Sequence, residues 1–156
     1  ALDYDGIAGV MLASLTGGTI GEVLGILKAK GVSLVLPIGL EKLVPHSVSD
    51  ASNIAGIYEM DYSDGVPVGI MPVSGEIITE LDAFEILFGV DAICIGSGGI
   101  GGGEGAKTFI LEGSKEEVSK AISLFESIRG EKSLTPIPAD HSKCVYKYCP
   151  LNKNDL

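Results

Sequence analysis

The chain has 156 residues, of which 46% are hydrophobic and 21% charged, and its formal net charge is −10. Such values belong to one globular domain with a sizeable core, not to a disordered chain. The acidic balance argues against nucleic acid and anionic membranes as partners, because Lys and Arg supply most of the attraction to both.

In chain order, residues 7–13 form a short apolar run that reads as a buried strand. The hydroxyl- and glycine-rich turn at 14–19 follows. Ile20, Val23, Leu24 and Leu27 then keep i, i+3, i+4, i+7 spacing, which places them on one helix face, and Gly31 supplies a stop. Residues 32–38 are a second apolar run. Strand, helix and strand at this length predict a βαβ unit with parallel strands. Residues 47–55 suit a short helix, and residues 57–62 and 66–73 suit extended chain around an Asp64-Gly65 turn. Pro67 and Pro72 favour an edge strand or a loop for the second of these. Ile77, Ile78, Leu81, Phe84, Leu87 and Phe88 describe a helix that ends at Gly89. Residues 90–95 and 106–111 are strands on either side of a glycine run. Ser114 and Glu117 form a capping box before a last helix with Val118, Ala121, Ile122, Phe125 and Ile128 on its apolar stripe. Residues 131–156 hold three prolines and no clear period. The expected organisation is one α/β domain over 1–130 and an extended tail over 131–156. Its fold class would be a three-layer sandwich around a mostly parallel sheet.

No apolar stretch reaches the ~18 residues of a membrane span, and no charged-apolar-small leader opens the chain. Cys94, Cys144 and Cys149 make an odd set, unlike a secreted disulfide framework. A cytoplasmic location is the expectation.

Four segments carry candidate chemistry. The turn at 14–19 leaves a strand and opens a helix, where unbonded N–H groups and the helix dipole favour an anion. Ser14, Thr16 and Thr19 add hydroxyls there, and Gly17 and Gly18 admit a ligand to the backbone. The competing reading is an ordinary N-cap by Thr16 or Thr19. In the glycine run, Gly96-Ser97-Gly98-Gly99-Ile100-Gly101 satisfies G-x-G-x-x-G, but a strand follows it, so it is not the dinucleotide-binding pattern that opens a helix. Ser97, Gly98, Gly99, Gly101 and Gly102 are candidate ligand contacts, with Lys107 as a nearby cation; the alternative is a plain hairpin loop. Residues 39–46 would follow a parallel strand at its C-terminal end, where open α/β sheets bind ligands. Gly39 and Glu41 are candidate contacts there, and Lys42 and His46 candidate acid, base or phosphate groups. Lastly, His141, Cys144 and Cys149, with Asp140, have zinc-ligand types, but their spacing fits no strong zinc signature.

The segment Leu12-Ala13-Ser14-Leu15-Thr16-Gly17-Gly18-Thr19, with Val32-Ser33-Leu34-Val35-Leu36-Pro37-Ile38 after the helix, resembles the start of the pyruvate kinase C-terminal domain. Asp91-Ala92-Ile93-Cys94-Ile95-Gly96-Ser97-Gly98-Gly99 is similar to a glycine-rich segment of stand-alone archaeal proteins of that fold. The resemblance implies that α/β fold and a phosphate pocket at the turn. It does not imply kinase chemistry, which in pyruvate kinase sits on another domain.

The leading expectation is a small-molecule-binding, regulatory protein with a phosphate pocket made by the turn and the glycine run together. A nucleotide or another phosphorylated molecule is the ligand class, and no resident cofactor or metal is required. A phosphoryl- or nucleotidyl-transferase acting on a nucleotide or a phosphorylated cofactor precursor is the enzymatic alternative, with Lys42, His46 and Lys107 as its candidate groups. A structural homo-oligomer is the third.

Overall fold

A computed structural model describes residues 1–132. The elements run β1 (Ala8–Leu12), α1 (Gly18–Ala29), β2 (Val35–Pro37), a short 3-10 turn (Leu40–Lys42), α2 (Val48–Ile54), β3 (Gly69–Val73), β4 (Glu76–Ile78), α3 (Glu80–Phe88), β5 (Asp91–Ser97), β6 (Lys107–Glu112) and α4 (Lys115–Ile128).

Local chemistry sets most of the boundaries. Ser47 Oγ accepts from Asp50 N–H at 3.1 Å and starts α2. Thr79 N–H and Oγ1–H both donate to Asp82 Oδ2 at 2.7 Å, so α3 begins at Glu80. That capping box frees Ile77 and Ile78, expected in the helix, to form β4 instead. Ser114 and Glu117 exchange the expected pair of bonds, at 3.3 and 3.0 Å, and open α4. Gly89, at φ 67°, closes α3 in the left-handed conformation that favours glycine.

The sheet arrangement corrects the expected fold class. The described strands form three separate two-stranded sheets: β1 antiparallel to β3, β2 parallel to β4, and β5 antiparallel to β6. The three-layer sandwich with a mostly parallel sheet is not formed. The predicted βαβ unit fails for a specific reason. β1 spends its ladder on β3, from Ala8↔Val73 to Leu12↔Gly69, while β2 is only three residues long and pairs with β4. An apolar run announces a strand but not its partner. Residues 57–62, expected as extended chain, include a turn at 57–59 and join no ladder.

Two small cores result. Leu2, Ala8, Val48 and Val73 are buried where α2 packs on β1 and β3. Val90 and Ala121 are buried where α3 and α4 meet the β5–β6 hairpin, with Phe84 and Phe109 edge to face at 5.6 Å. Residues 1–3 connect neighbouring segments. Leu2 N–H donates to Lys42 O at 3.0 Å, and Val44 N–H donates to Leu2 O at 2.8 Å. Asp3, 2% exposed, accepts from Val48 N–H at 2.9 Å, Ile7 N–H at 2.8 Å and Asp5 N–H at 3.0 Å.

No helix among the described residues is long and apolar enough to cross a membrane.

Candidate functional site

The turn at 14–19 links β1 to α1, as its sequence requires. Gly17 N–H donates to Ser14 O at 2.8 Å and closes the turn. Gly17 and Gly18 both hold left-handed backbone, at φ 79° and 64°. Ser14 Oγ lies 3.2 Å from Thr16 Oγ1, and Thr16 N–H reaches Ser14 Oγ at 3.4 Å. These hydroxyls bond within the turn and do not cap the helix. Gly17 is the N-cap residue, and among the described residues no side-chain cap bond and no first-turn acid serve the N-terminus of α1. The other described α-helices all carry a hydroxyl cap and an acid in the first turn. Thr19 enters the helix as an exposed residue. The N–H groups of Gly18, Thr19 and Ile20 thus stand outside the intrahelical ladder, whose first bond is Gly21 N–H to Gly17 O.

The glycine run is the tip of the β5–β6 hairpin. Gly98 N–H donates to Ala106 O at 2.8 Å, and Ala106 N–H to Gly103 O at 2.9 Å. Gly99 lies against the backbone of Gly103 so closely that a Cβ there would collide with the Gly103 carbonyl. The loop also contains its own anion: Glu104 Oε1 accepts from Gly102 N–H at 3.1 Å. That bond holds the Glu104 carboxyl below its ordinary value. Gly98, Gly101 and Gly102 occupy left-handed backbone, and Ile100, at the apex, is 98% exposed. Close crossing and self-satisfaction explain much of the glycine content without a ligand. The sequence pattern did not disclose that Glu104 acts on the loop itself, although an acid two residues after a glycine pair is the available signal.

Residues 39–46 lie beyond β2. Leu40 N–H donates to Glu80 Oε2 at 2.8 Å, which fixes the 3-10 turn against α3. The Glu41 carboxylate folds back over Gly39 and fills the space a side chain there would need. Lys42 Nζ is 3.9 Å from Glu41 Oε1, both on the surface. His46 is exposed just before α2.

A cleft of about 670 Å3 joins part of this segment to the hairpin; Leu40, Leu43 and Leu81 face β5, including Gly96 and Ser97. The turn at 14–19 does not line it. Among the described residues no hydrogen bond joins the turn to the glycine run. The structure therefore brings Gly39, Glu41 and Lys42 together, and Gly96 and Ser97 near that segment. Lys107 pairs with Ser97 across the hairpin, on the strand after the loop. His141, Cys144 and Cys149, with Asp140, lie outside the described residues, and among the described residues no group of His, Cys, Asp and Glu has metal-holding geometry.

No family model, curated protein or solved structure matches the chain.

Proposed function

We propose that the protein binds a phosphate-bearing small molecule, with the phosphate at the N-terminus of α1. The observation that carries this reading is the bare start of that helix. Three backbone N–H groups and two glycines open the helix, the Ser14 and Thr16 hydroxyls lie in the turn just before it, and its first turn carries no acidic side chain. The resemblance of this turn to the effector-phosphate turn of the pyruvate kinase C-terminal domain supports the same ligand class. The glycine run is not needed for it, since Glu104 already serves that backbone.

Binding fits this arrangement better than catalysis. Lys42 and His46 share the 39–46 segment while Lys107 lies on β6, and Lys42 faces its own neighbour Glu41. Among the described residues no nucleophile–base pair accompanies the anion donors, and acid–base chemistry requires such contact.

Titration of the full chain with inorganic phosphate, a sugar bisphosphate and a nucleoside diphosphate tests the proposal by thermal shift and by amide spectra. A native-state ligand at 100 times its Kd raises apparent stability by about 2.7 kcal/mol. The expected result is a saturable rise, with the largest amide changes at Gly17, Gly18 and Thr19. In the Ser14→Ala/Thr16→Ala variant it should weaken about tenfold, the worth of one charge-assisted bond. Absence of any shift, or changes centred elsewhere, would remove this function.

A further inference from the structure

Two hollows adjoin where α4 covers the β5–β6 hairpin. One, of about 310 Å3, lies between β6 and the last turns of α4, and Lys107, Thr108, Glu126 and Arg129 supply its polar groups. The other, of about 250 Å3, runs between α3 and α4 past Leu87 and Ile128. Phe84, Phe109, Ala121 and Phe125 line both. They form one groove, apolar towards α3 and polar at the β6 end. The one carboxylate of the α3 part, Glu80, is engaged by Leu40 N–H.

Two features of this groove exceed what packing needs. Its apolar walls are left open: Phe125 is 49% exposed, and Leu87, Leu124 and Ile128 are exposed as well. Its mouth also collects two cations in a chain with 11 basic and 21 acidic residues. Neither Lys107 nor Arg129 forms an ion pair with a described residue. Among the described residues Glu126 is the single acid at that rim, against the two cations Lys107 and Arg129.

We infer that this groove binds an amphipathic anion, an unbranched alkyl chain ending in a carboxylate or a phosphate. The chain would lie between α3 and α4 against the three phenylalanines. The headgroup would meet the Lys107 ammonium and the Arg129 guanidinium, whose fork matches two oxygens of either anion. The combined hollow has the scale of small-molecule sites, which are mostly apolar with a few placed polar groups. This site is separate from the turn at 14–19 and does not rest on the function proposed there.

The experiment titrates the full chain with decanoate, dodecanoate and dodecyl phosphate, each below its micelle concentration, and with dodecanol. Calorimetry and amide spectra give affinity and location. Each methylene buried in the groove should tighten binding about fourfold, so dodecanoate should bind about 15-fold more tightly than decanoate. It should also bind at least tenfold more tightly than dodecanol, with spectral changes at Phe84, Phe109 and Phe125. In the Lys107→Gln/Arg129→Gln variant, which alters only the rim, the preference for anion over alcohol should vanish while dodecanol binding is retained. Tighter binding of dodecyl phosphate than of dodecanoate would assign a phosphoester, and the reverse a fatty acid. An affinity independent of chain length would overturn the inference. So would an anion preference that survives in the double variant, or amide changes centred away from this groove.

Discussion

Asp3 shows how one carboxylate can hold two segments at once. Its oxygens take the N–H groups of Asp5 and Ile7 on one side and of Val48, the first residue of α2, on the other. Chiefly the Val48 and Ile7 bonds hold its carboxyl below the ordinary value of 3.8. The stabilisation is therefore fully present above that ordinary value and is lost as the pH falls through the lower native one. Asp3→Asn keeps one acceptor oxygen and loses the charge. Its thermal midpoint should fall at pH 7, and the gap to the wild type should narrow below the ordinary value and close only once the pH has passed the lowered native one, where both carry a neutral group. A midpoint difference that is constant from pH 2 to 7 would contradict this role. Nothing in the sequence marked Asp3, because its partners lie up to 45 positions away and depend on where α2 docks.

The elements themselves were mostly legible. Periodicity located α1 and α4, and the Ser114–Glu117 spacing placed the start of α4 correctly. Thr79 and Asp82 carry the same kind of signal, but the isoleucines before them suited a helix equally well, so β4 was absorbed into it. The candidate site was legible in position and illegible in assembly. The turn at 14–19 sits where strand passes to helix, as read, yet its hydroxyls bond each other and leave the helix start bare. The glycine run was correctly placed between two strands, while its internal partner Glu104 follows only from the folded path. Gly99→Ala tests that path, because the added methyl must displace the Gly103 carbonyl. Overpacking of this kind costs about 1–3 kcal/mol. Denaturant titration should show that loss, with amide exchange accelerated from Gly98 to Ala106. An unchanged midpoint would mean that the loop is more open than its backbone crossing implies.

At the scale of the molecule, strand partnership is what the sequence left open. Apolar runs at 7–13 and 32–38 suit a shared parallel sheet, but each strand found a later partner. The run Ala92-Ile93-Cys94-Ile95 is apolar throughout and marks β5 as a strand without saying which face is covered. In the fold α3 packs on β5, and Ile93 and Ile110 stand opposite each other with both side chains exposed. The antiparallel pairings also differ in how far the chain must travel to make them. β5 and β6 close over one short loop, whereas β1 waits for β3, joining Ala8 to Val73. Closing a longer loop costs more chain entropy before any contact repays it, and distant pairings form slowly. Time of formation should therefore run against sequence order. In pulse-labelled refolding, amides of the β5–β6 hairpin and α4 are expected to gain protection before those of β1, although β1 is made first. The bare start of α1, which follows β1 directly, would then be among the last features to appear, and phosphate added during refolding would change the final phase and leave the first untouched.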